Sequence, residues 1–148
     1  MSLKERIQDD MKAAMRAGDK ARLGVVRMAL AALQQREIDD RTTLDEPEAT
    51  AVIEKLVKQR RESVTQFEQA GRDELAAKER AEIEVLQEYL PEQLSSGEVD
   101  DVIEAAIAAT GASSMRDMGK VMAEVKQKAQ GRADMAAVSA RVKARLAS

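Results

Sequence analysis

The residues whose type and spacing could hold phosphates lie at the C-terminal end. Between Gly111 and Ser148, eight Lys/Arg stand against three acids, a net +5. The whole chain carries −3, so residues 1–110 carry the difference, −8. Arg116, Lys120, Lys128, Arg132, Arg141 and Arg145 could line one surface of a small helical module. Such a surface holds phosphate oxygens with little sequence preference. Ordinary solubility charge is the competing account, and cations also favour the last turns of helices. The acidic total argues against broad, unspecific nucleic-acid binding, and DNA is not expected as a partner.

A second basic cluster is Lys58-Gln59-Arg60-Arg61. A solvated face, partly paired with the acidic stretch that follows, is the first reading, and an RNA-backbone contact the second. Arg60 falls inside an apolar stripe by spacing, so it should snorkel or meet a carboxylate.

Other chemistry is narrowed by what is missing. The chain has no Cys and no His. That removes thiolate nucleophiles, disulfides, imidazole acid–base work and imidazole metal sites. With no Trp, one Phe and one Tyr, stacking on bases has little material. Gly119-Lys120 lacks both the upstream glycine and the following Ser/Thr of a phosphate loop, so Gly119 reads as room for close helix packing. Ser95-Ser96 and Ser113-Ser114 sit where helices start and read as caps, not nucleophiles. Gly131-Arg132-Ala133-Asp134 precedes a helix start. Asp134 could cap it, or an anion could lie there on Arg132. No catalytic residue, metal site or cofactor is expected.

The elements that must position these residues are helices. Apolar residues recur at helical spacing, and alternating strand patterns are missing. Ser2 caps a first helix that places Leu3, Ile7, Met11, Ala14 and Met15 on one face and ends at Gly18. Asp19 caps a second, with Leu23, Val26, Leu30 and Leu33 inward, to about Ile38. Residues 39–43 read as a loop. Asp45, Pro47 and Glu48 start a long third helix to about Ala70, with Ile53, Leu56, Val57, Val64 and Phe67 on one face. The fourth runs from about Asp73 to Tyr89 with Leu75, Ile83 and Leu86 inward. Pro91 disfavours helical geometry at Leu90, and residues 90–94 read as a hinge or linker. Ser95 with Glu98, and Ser114 with Asp117, have capping-box spacing for the fifth and sixth helices. Met115, Met118, Val121, Met122 and Val125 face inward from the sixth. Met135, Val138, Val142 and Leu146 do so from the seventh. The fold class is all-α, a four-helix N-terminal domain (1–92) followed by a three-helix C-terminal domain (93–148). No stretch approaches ~18 consecutive apolar residues, so no membrane span is expected. The N-terminus has no long apolar run, and a cytoplasmic location is expected.

Several of these stretches, taken in order, resemble a known family. They are Lys55-Leu56-Val57-Lys58-Gln59-Arg60-Arg61-Glu62-Ser63, Gln66-Phe67-Glu68-Gln69-Ala70-Gly71-Arg72 and Tyr89-Leu90-Pro91-Glu92-Gln93-Leu94. Asp117-Met118-Gly119-Lys120-Val121-Met122 and Gly131-Arg132-Ala133-Asp134 follow. The set resembles the GatB/YqeY family, specifically its standalone YqeY-like proteins, along essentially the whole chain. The resemblance implies an all-helical protein with a three-helix C-terminal domain. It implies kinship with the tail of the B subunit of tRNA-dependent amidotransferase, which contacts tRNA. It also implies the family label of carbon–nitrogen ligase with glutamine as amido donor. The catalytic domain of that enzyme has no counterpart in these residues. Lys120 and Arg132 lie on the shared motifs.

Three functional readings follow, in this order. The first is a tRNA-binding accessory module. The second is a protein–protein interaction module without RNA. The third is an amidotransferase-type enzyme in its own right.

Overall fold

The computed structural model describes residues 1–147. They form an all-α protein of seven helices and one 3-10 turn. The chain divides into two compact units, Met1–Leu90 and Pro91–Ser148.

The first unit holds α1 (Leu3–Ala17), α2 (Lys20–Asp40), α3 (Glu46–Gln69) and α4 (Asp73–Gln87). Ser2 Oγ accepts the Glu5 N–H at 3.2 Å, and Gly18 closes α1 in the left-handed region at φ 69°. A glycine is suited there because a Cβ is costly at that φ. Asp45 and Glu48 form a full capping box at the head of α3. The core collects Leu3 and Ile7 from α1, Val26, Ala29 and Leu33 from α2, Ile53 and Val57 from α3, and Leu86 from α4. Each Leu, Ile or Val among them stabilises by about 1.5–3 kcal/mol on leaving water.

Helix α2 runs past Ile38 through Asp39 and Asp40, whose polar run had suggested a loop. Two i,i+4 contacts hold this last turn: Gln35 Nε2 to Asp39 Oδ1 at 2.8 Å, and Arg36 Nε to Asp40 Oδ2 at 2.5 Å. Arg41 then closes the helix at φ 54°. Met15 and Leu75, placed inward by spacing, are exposed instead, as is Ile38. Helices α3 and α4 pack along each other. Beyond Val57 no residue of α3 is buried, and in α4 only Ala76 and Leu86 are, so Val64 and Phe67 are half-covered.

The second unit holds α5 (Ser96–Thr110), the 3-10 turn Met115–Asp117, α6 (Met118–Ala129) and α7 (Met135–Ala147). Ile103 from α5, Val121 and Val125 from α6, and Val138, Val142 and Leu146 from α7 form its core. Met115 is exposed, because the chain leaves Ser114 as a 3-10 turn and not as the first turn of α6. Gly119 is exposed and a Cβ there would meet nothing within 4 Å, so it serves no close packing.

Residues 90–94 are not a free linker. Leu94 N–H donates to the Arg132 carbonyl at 2.7 Å, and Gln93 Nε2 donates to the Gly131 carbonyl at 2.9 Å. The start of the unit is thereby strapped to the turn between α6 and α7. Gly131 is buried at φ 79°, the left-handed region where glycine is favoured.

Candidate functional site

The six cations singled out in the C-terminal unit separate into two groups. Arg141, on α7, pairs with Asp100 of α5 and also donates to the Ser96 carbonyl at 3.0 Å. Arg145, one turn on, holds Glu104 through two contacts of 2.6 and 3.3 Å. These i,i+4 neighbours tie α7 to the acidic side of α5, and Glu104 raises the Arg145 pKa further. Arg132 donates from Nε to the Glu92 carbonyl at 3.0 Å. Its charge is one of the influences on Glu98, whose carboxyl is held low mainly by the Ser95 N–H and then by the Ser95 hydroxyl. Three of the six are thus turned towards acceptors of their own unit.

Arg116, Lys120 and Lys128 are exposed. Arg116 sits on the 3-10 turn that Ser114 and Asp117 build between them. The Asp117 carboxyl is held below the usual carboxylate range by the Ser113 N–H first, with the Ser114 N–H and the Lys120 charge adding to it. Lys120 and Lys128 share one row of α6 with Glu124 midway between them, each at i,i+4 spacing from it. Lys126 and Lys143 of the same unit are exposed as well.

The turn 131–134 is a structural junction. Asp134 Oδ1 accepts the Ala136 N–H at 3.2 Å, so the head of α7 is occupied by its own carboxylate. Ser95 and Ser114 likewise act as caps, accepting the N–H groups of Glu98 and Arg116.

The second basic cluster is also divided. Arg60 is folded inward, its side chain 14% exposed. It meets Glu82 at 3.1 Å, the Leu56 carbonyl at 3.1 Å and Met28 Sδ, with Glu79 at 4.0 Å. Burial, then the neighbouring Glu82, push the Glu79 carboxyl up. Lys58 is exposed and Arg61 half-exposed on the outer side of α3.

A polar cluster without any local signature in the sequence lies in the first unit. Tyr89, buried, donates to Asp10; Arg6 lies 5.6 Å from the centre of its ring; Arg22 grips Glu88 with two contacts of 2.8 and 3.2 Å. It joins α1 and α2 to the end of α4. Among the described residues, no group of three or more Asp or Glu is placed to hold a metal ion. No helix among them is long and apolar enough to cross a membrane.

Comparison with known proteins gives the chain a family. The model of the family described as "Yqey-like protein" matches residues 4–146. The chain is 39% identical over 85 residues to altered inheritance of mitochondria protein 41, mitochondrial, of Eremothecium gossypii, covering 57% of this chain and 46% of that protein. It is 36% identical over 88 residues to the Candida glabrata protein of that name, covering 58% and 48%. With the Pyrenophora tritici-repentis protein of that name the match is 29% over 130 residues, 86% of this chain and 71% of the relative. The chain thus spans about half the length of several curated relatives that it matches. The expectation of a cytoplasmic location is corrected by these names, which point to mitochondria. An absence of cysteine is shared by proteins of both reducing compartments, so it does not separate them. With its family model matched almost end to end, the chain belongs to the YqeY-like protein family.

Proposed function

We propose that the protein is a tRNA-binding accessory module, related to the tail of the amidotransferase B subunit and not catalytic by itself. One observation carries this reading. Arg116, Lys120 and Lys128 stay exposed in the C-terminal unit, while Arg132, Arg141 and Arg145 turn to acceptors of their own unit. Exposed cations on a helical scaffold hold a phosphate backbone by charge, without reading bases. Tyr89 is buried and Phe67 half-covered, so neither offers an open ring for stacking.

The test is tRNA binding by the full chain over a salt series. Replacing Arg116, Lys120 and Lys128 by Gln should weaken binding and lower the log–log salt slope by roughly 0.7–0.9 for each phosphate no longer neutralised. Replacing Arg141 and Arg145 by Gln should leave the slope in place. Equal slopes for wild type and the triple variant would remove this face from the reading. Absence of binding at low salt would remove the reading itself.

A further inference from the structure

Helix α1 carries a second pattern, on the side away from its core face. Ile7 and Leu3 point into the core. Opposite them stand Glu5, Asp9, Lys12 and Arg16, at steps of four, three and four residues, all exposed. This spacing keeps four side chains in one stripe along a helix. None of the four has an ion-pair partner among the described residues. Within the helix, Glu5 and Asp9 repel at i,i+4, and so do Lys12 and Arg16. A solvated helix gains from the opposite arrangement, with unlike charges at that spacing.

The stripe borders an opening lined by both charged and apolar side chains. A groove of 440 Å³ lies between α1 and α2, and Glu5, Asp9 and Lys12 line it together with Met1, Met11 and Leu30. Met1 is 81% exposed, Met15 53% and Ile38 68%. These are three of the five large hydrophobic side chains exposed among the described residues. Met1 and Met15 lie at the two ends of α1. The 2.6 Å ion pair of Lys4 with Glu37 ties the last turns of α2 to the start of α1. The helix dipole favours acids early and bases late in an isolated helix. It does not account for Met1 and Met15, exposed at the two ends of α1.

We propose that this face docks a second copy of the chain, α1 against α1 and antiparallel. A twofold axis between Asp9 and Lys12 sets Glu5 of each copy against Arg16 of the other, and Asp9 against Lys12. Four unlike pairs across the contact then offset the like-charge neighbours within each helix, as a self-complementary twofold contact allows. The same rise per residue brings Met15 of one copy level with Glu5 and Gln8 of the other, at the groove beside Met1. This docking is independent of the RNA reading.

The test is the mass of the full chain in solution, by light scattering or sedimentation, over a concentration series to about 1 mM. A species of twice the 16.2 kDa chain mass should appear, and raising salt from about 50 mM to about 500 mM should dissociate it. The variant Glu5→Lys/Asp9→Lys and the variant Lys12→Glu/Arg16→Glu should each be monomeric, with dissociation constants raised about tenfold or more. Mixed in equal amounts, the two should form a heterodimer, because one stripe is now wholly positive and the other wholly negative. Far-UV circular dichroism checks that both remain folded, and the salt series on the unmodified chain needs no variant. A monomer through the whole series overturns the proposal. So does a dimer that neither reversal weakens, or folded variants that do not associate when mixed.

Discussion

The phenol of Tyr89 donates to the carboxylate of Asp10 at 2.5 Å, across 79 positions of sequence. The ring is buried, so its hydroxyl has few other partners, whereas Asp10 is part-exposed. Tyr89→Phe should therefore lower stability by about 1–2 kcal/mol, read by chemical denaturation. Burial first, then Asp10, push the Tyr89 pKa upward. The folded state thus holds the phenol proton to higher pH than the unfolded chain does. Stability from this group is complete below the unfolded value of about 10 and is lost as pH rises above it. Tyr89→Phe should flatten that alkaline loss.

Arg60 is the one member of its basic cluster folded inward. Arg60→Ala would leave Glu82 and the part-buried Glu79 carboxyl without their cation. A cost of roughly 1–3 kcal/mol is expected, less than for a fully dry pair because both partners keep some solvent. Lys58→Ala, on the exposed side, should change stability by less than about 0.5 kcal/mol. Thermal melts of the two variants side by side separate them.

The strap between residues 93–94 and 131–132 gives a third expectation. Gln93→Ala removes the amide that donates to the Gly131 carbonyl and should cost about 1 kcal/mol. Gly131→Ala forces a side chain into the left-handed region at a buried position and should cost about 1–2 kcal/mol. Both losses should show in denaturation of the full chain, with the glycine variant the less stable protein.

Gly24 offers the opposite sign. It lies inside α2, exposed, and a Cβ there would meet nothing within 4 Å. Gly24→Ala should raise stability by about 0.5–1 kcal/mol, since only the flexibility of the glycine is lost. A raised melting temperature checks it.

The helices were legible because caps and apolar spacing agree: Ser2, Asp19, Asp45, Ser95 and Ser114 each accept the N–H expected of a cap. Spacing says which face of a helix is apolar, but not whether another helix reaches it. Met15 and Leu75 are exposed for that reason. The charged face was less legible. Arg132, Arg141 and Arg145 look like Lys120 and Lys128 in sequence, yet their partners, Glu92, Asp100 and Glu104, are some 40 positions away. Arg60 was readable because it interrupts an apolar stripe, where a cation must snorkel or meet a carboxylate, and it meets Glu82. Tyr89 and Asp10 carry no such local mark.

Past Val57, helix α3 and the first half of α4 hold each other almost without buried side chains, while Ile53 is fully enclosed. The two ends of one helix thus report different events. Amides near residues 62–69 should trade hydrogen for deuterium through local fraying, early and with little dependence on denaturant. Those around Ile53 should wait for the whole unit to open.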